Sequence, residues 1–129
     1  MPNGFYGRDE EWKKLEAPLL ELDNYLVLFA DTKKIQIEKN YHNWPSRALQ
    51  WETKGINRQI QIYLENEKQK IYNFWLCAYQ DKDNEQFWKN EFLKKSVLLP
   101  EIVNSLGELL EKSYDIVNSW AEEDLEKTR

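Results

Sequence analysis

The chain has 129 residues, of which 41% are hydrophobic and 32% charged, the balance of a folded domain of common size and not of a disordered tail. Its net charge is −5, with one histidine and one cysteine, so it lacks the basic footprint of a duplex binder and can form neither an internal disulfide nor a Cys/His zinc site. No apolar run approaches the ~20 residues that cross a bilayer, and no basic-then-apolar leader follows Met1. The expectation is a single cytoplasmic domain over 1–129, with no nucleic-acid or membrane partner, no metal and no cofactor.

Residues 9–31 have helical spacing. Trp12, Leu15, Leu19, Leu22, Leu26 and Phe29 recur at steps of three and four and build one apolar stripe. Pro18 falls inside this pattern. It has no N–H to give the preceding turn, so a kink or a restart is expected there, with a longer second piece from Pro18 to about Ala30.

From Lys34 to about Val97 the period changes to two. Ile35 and Ile37 alternate with Gln36 and Glu38, and "RALQWE", "INRQIQIYLE", "KIYNFWLCAYQ" and "QFWKNEFLKK" read as four further strands. The intervening "TKG", "NEKQ" and "DKDNE" are short enough for hairpins. No helix-length segment separates the strands, so an antiparallel meander of about five strands follows. Residues 100–126 return to helical spacing behind Pro100, with Ile102, Val103, Leu106, Leu109, Leu110, Tyr114, Val117, Trp120 and Ala121 on one side. The predicted architecture is a two-layer α+β sandwich with an N-terminal and a C-terminal helix, both on one face of the sheet.

Register decides which face stays uncovered. A two-residue turn at Lys54-Gly55 pairs Trp51 with Arg58, Leu49 with Ile60 and Arg47 with Ile62. A turn centred on Glu67-Lys68 then pairs Leu64 with Ile71, Ile62 with Asn73, Ile60 with Trp75 and Arg58 with Cys77. In this register Ile71, Trp75 and Cys77 join Leu49, Trp51, Ile60, Ile62 and Leu64 under the helices. The opposite face holds Gln59, Gln61, Tyr63, Tyr72, Phe74 and Leu76. Rings beside adaptable amides have the composition of a protein-binding surface, and these six residues are the predicted interaction site. The strand at 86–95 reads as an edge, with Lys89, Lys94 and Lys95 guarding it.

A second candidate is the stretch "NYHNWPSRALQW" between the first two strands. Asn43, Pro45 and Ser46 are turn residues. His42, Trp44, Arg47, Trp51 and Arg58 form a predicted anion-binding set, because a guanidinium offers a planar fork of donors to carboxylate or phosphate. The competing structural role for the arginines is pairing with some of the 23 acids or stacking of Arg58 on Trp51.

Catalytic chemistry is poorly supplied. Cys77 is placed mid-strand with no base beside it. The four glycines are scattered, which excludes phosphate loops. "DKDNE" is too short for a calcium loop. Residues 101–129 carry eight acids against three bases, while residues 1–100 balance at fifteen each; this acidic end reads as a solvated helix face. The expected function is therefore non-enzymatic: a small acidic interaction module of the adaptor, immunity or chaperone type, binding a protein partner or itself through the Gln/Tyr/Phe face. The alternative is a small anionic-ligand binder or an uncharacterised enzyme with its pocket at the 40–47 loop.

Overall fold

Residues 9–39, 45–66, 71–96 and 102–127 are described by a computed structural model. Helix α1 (Asp9–Lys33) is followed by five strands, β1 (Gln36–Lys39), β2 (Ser46–Thr53), β3 (Ile56–Asn66), β4 (Ile71–Lys82) and β5 (Glu85–Ser96). Helix α2 (Ile102–Ser119), a 3-10 turn at Glu122–Asp124 and a two-residue strand β6 (Glu126–Lys127) complete the described chain. The strands form one antiparallel sheet in sequence order, β1 to β6. Both helices pack on it, α1 over β1, β2 and β3, and α2 over β3 and β4. No helix among the described residues is long and apolar enough to cross a membrane.

The stripe that makes α1 amphipathic is the one read from spacing. Leu15, Leu19, Leu22, Leu26 and Ala30 are buried against the sheet, each large side chain contributing about 2 kcal/mol by leaving water. Pro18 does not divide the helix, which runs unbroken from Asp9 to Lys33. Its ring is buried, and that apolar burial offsets the hydrogen bond it cannot make. The helix ends on Lys34, which adopts a left-handed φ of 59°. The Ile35 N–H then reaches back to Ala30 O at 2.8 Å, the six-to-one bond of a Schellman stop, with Ile35 and Ala30 both buried beside it.

Two hairpins use mirror-image turns. Lys54-Gly55 has φ of 56° and 75°, and Asp83-Asn84 has φ of 55° and 65°; both match the twist of the flanking strands. The first fixes the β2–β3 register as expected, Leu49 opposite Ile60 and Trp51 opposite Arg58.

The β3–β4 register differs from expectation by one residue. Leu64 pairs with Tyr72, Ile62 with Phe74 and Ile60 with Leu76. A bulge between Leu64 and Asn66 supplies the extra residue, and a slip of one transposes every side chain of β4 to the other face. Three residues of the predicted interaction site are thereby corrected. Tyr72, Phe74 and Leu76 lie in the core under the helices, none more than 1% exposed. Trp75 takes their place in the open at 40% exposure. Cys77, expected in the core, belongs to the opposite face with Trp75.

The last helix is also shorter than its apolar spacing implies. α2 stops at Ser119, and Trp120 and Ala121, placed on the helix by sequence, begin the turn that follows. Ala121 N–H donates to Asp124 Oδ2 at 2.7 Å. Leu125 is buried, and β6 then pairs with Phe87 and Trp88 of β5. A sixth short strand thus covers one end of an edge that spacing alone leaves open.

Candidate interaction face

The two arginines of the predicted anion site are internal structural ties. Arg47 is fully buried. Its Nε donates to Asp23 Oδ1 at 2.6 Å and its Nη2 to Asp23 Oδ2 at 3.1 Å, a two-pronged grip on α1. Nη1 donates to Ser46 O at 2.8 Å, and Glu16 Oε1 lies 3.5 Å from Nη2. Arg58 is equally buried. Its Nη1 donates to Val117 O and, at 2.9 Å, to Trp120 O; its Nε donates to Thr53 Oγ1. It therefore holds carbonyls at the C-terminal end of α2, where a cation is favoured. Burial lowers its pKa from the usual arginine value, yet a guanidinium keeps its proton. With both forks engaged internally, neither arginine is open to an anion.

Trp51 does not stack on Arg58. Its ring lies against Tyr114, centroids 5.0 Å apart, and its Nε1 donates to Asn118 Oδ1 at 2.8 Å. His42 and Trp44 lie outside the described residues. A pocket of about 410 Å³ opens at the C-terminal end of β2 and is lined by Trp51, Thr53, Arg58, Tyr114, Lys33 and Lys34. The 40–47 loop meets the other end of that strand. Lys33 at its mouth is engaged with Glu111 Oε2 at 3.1 Å and lies 5.0 Å from the Tyr114 ring centroid.

The sheet face away from the helices is different in kind. Antiparallel pairing sets Trp75 opposite Phe92 and Tyr79 opposite Trp88. The first two rings have centroids 4.7 Å apart, the second pair 4.8 Å. Such cross-strand ring pairs stabilise a sheet while presenting flat apolar area. Trp75 and Phe92 are the most open, at 40% and 46% exposure. Beside them on β3, Gln61 Nε2 donates to Gln59 Oε1 at 2.8 Å, and Tyr63 OH donates to Gln61 Oε1 at 3.1 Å. Gln59, Gln61 and Tyr63 therefore keep the face assigned to them, joined by rings that the shifted register substitutes for Tyr72, Phe74 and Leu76.

Across 57–63 of β3, 73–79 of β4 and 88–92 of β5, each residue on this face is an amide, an aromatic or Cys77. None is charged, in a chain where 32% of residues are. Charge resumes at the margin with Glu38, Glu52 and Asp81, and by register at Lys94, the position opposite Asn73. Cys77 lies among these residues, 4% exposed, and burial pushes its thiol up to about 11. It is a small apolar filler there and not a nucleophile. Asn73 Oδ1 is buried and accepts no hydrogen bond from a described residue.

Asn73 was also the readable signal. The expected register set this amide in the core opposite Ile62, where an unpaired amide costs roughly 1–3 kcal/mol. One residue of slip takes it off the helix-covered face, to a half-buried position where Oδ1 is still enclosed, and brings Phe74 in. Comparison with protein-family models, curated proteins and solved structures finds no match to this chain.

Proposed function

We propose that the protein is a non-enzymatic interaction module that binds a protein partner through the sheet face turned away from the two helices. The observation that carries the reading is the pair of ring stacks, Trp75 with Phe92 and Tyr79 with Trp88, set in a surface free of charge. Aromatic groups with uncharged polar neighbours are the composition of interface centres, where charged side chains are depleted. The anionic-ligand reading has less support, because Asp23 and the α2 carbonyls occupy its arginines.

The test is site-specific photo-crosslinking in cells. A photoreactive phenylalanine analogue at Phe92 is expected to trap a protein, while the same analogue at Asp31, on the exposed side of α1, traps none. Absence of any adduct from Phe92, or equal adducts from both positions, overturns the reading.

A further inference from the structure

We propose that the occupant of this face is a second copy of the chain, packed sheet against sheet about a two-fold axis. The inference rests on the interaction reading above and gives the partner its identity.

Three features of the face converge on it. The first is charge. Each copy carries −5, so two copies repel wherever acidic surface meets acidic surface. Between Asp81 at one end and the Lys94 position at the other, the described residues of this face on β3, β4 and β5 carry none of that charge. A foreign partner of opposite sign would find nothing there to steer it, whereas two identical neutral faces meet without a like-charge penalty.

The second is layout. Rings predominate in the β4–β5 half of the face, as Trp75, Tyr79, Trp88 and Phe92, with Asn73 and Asn90 between them. Amides predominate in the β2–β3 half, as Gln50, Gln61 and the mostly buried Gln59, with Tyr63 beside them. A two-fold axis parallel to the strands and lying between the two sheets sets the ring half of one copy over the amide half of the other, twice. That is the self-complementarity an isologous interface requires. Aligned sheets pack ~10 Å apart with interleaved side chains, a spacing that rings and glutamines fill.

The third is area. Four strands at ~4.8 Å spacing and about seven residues at ~3.4 Å rise give a flat patch of roughly 450 Å². This is below the ~800 Å² that each partner buries in a standard stable interface and within the range of transient association. The dimer is therefore reversible and weak.

Two other surfaces compete less well. Leu20, Val27 and Leu28 are exposed on α1, but they form a narrow strip between charged neighbours such as Glu21 and Asp31. The outer edge of β5 beyond β6 carries Lys89 and the exposed Glu91, charged side chains that guard a strand edge against pairing.

Sedimentation velocity from about 1 µM to about 1 mM chain decides the matter, a range that brackets weak interfaces. The wild type is expected to pass from one chain mass toward two. Trp75→Glu with Phe92→Glu should stay monomeric throughout, and the milder Phe92→Ser should shift the transition at least tenfold upward in concentration. Circular dichroism melts of each variant establish that it is folded. Leu20→Glu with Val27→Glu should dimerise as the wild type does. A wild type that is monomeric at every concentration overturns the inference, as does a dimer that survives Trp75→Glu with Phe92→Glu or is lost with Leu20→Glu and Val27→Glu. The Phe92 crosslink separates the two levels. An adduct with a different protein retains the interaction reading without the dimer, and no adduct ends both.

Discussion

Arg58 reaches from β3 into the last turn of α2 and closes the carbonyls of Val117 and Trp120. The last carbonyls of any helix have no partner within the helix itself. Here a buried cation supplies the donors, and Thr53 Oγ1 takes another. The side chain is thus a strut between sheet and helix, and the helix ends where the strut meets it. Arg58→Met keeps much of the apolar stem but strands two buried carbonyls and Thr53. A loss of about 3 kcal/mol is expected, the cost of several unmade charge-assisted bonds. Urea unfolding measures it, and hydrogen exchange should locate early opening in the final turn of α2. An unchanged midpoint would mean that the guanidinium carries no share of the α2–β3 contact. Arg47 does for α1 what Arg58 does for α2. Its fork closes on Asp23, where the buried pair fixes position more than it adds stability. Both arginines were visible in the sequence as an oddity, inward-facing cations on apolar strands. Their partners were not visible, because Asp23 is 24 residues and Val117 59 residues away, and spacing alone cannot choose among 23 acids.

At the scale of elements, ends and registers separate what spacing reveals from what it hides. α1 stops on Lys34 in the left-handed region, a position that glycine occupies at least cost. Lys34→Gly is therefore expected to raise stability by about 0.5–1 kcal/mol, the relief of left-handed strain less the added freedom of the unfolded chain. Thermal denaturation checks it; a lower melting temperature would show that the lysine side chain contributes more than its backbone costs. Hairpin β2–β3 was legible because a Lys-Gly turn allows one length. Hairpin β3–β4 was not, because "NEKQ" gives no glycine to mark the turn and a bulge inserts a residue that no local signal announces. Strand β4 adds to the ambiguity. "IYNFWLCAY" has apolar residues on both parities, and only Asn73 distinguishes them. The end of α2 was hidden for a different reason. Trp120 and Leu125 keep apolar character beyond Ser119, so the pattern continues while the helix does not, and the stop depends on a residue in β3.

For the whole molecule, the two-layer architecture was legible because periods of 3.6 and 2 occupy separate stretches of chain. The candidate face was legible by half: β3 gave Gln59, Gln61 and Tyr63, while β4 offered the wrong rings until its register was known. Once the register is set, charge becomes the decisive property. The net −5 is carried outside the uncharged patch that lies between Asp81 and the Lys94 position, so the proposed dimer brings together two bodies of like charge through a contact that has none. Their repulsion acts at long range and salt screens it, whereas ring and amide contacts are short-range and barely respond. For charge centres ~25 Å apart, the repulsion is roughly 1 kcal/mol at about 20 mM salt and nearly nil at about 300 mM. Dimerisation should therefore strengthen about fivefold over that range, since 1.4 kcal/mol corresponds to tenfold. Sedimentation at the two salt concentrations measures the change. An interface built on ion pairs would respond in the opposite sense, because the same screening would remove its attraction. A dimer that weakens with salt would place the contact on charged surface and away from Trp75 and Phe92.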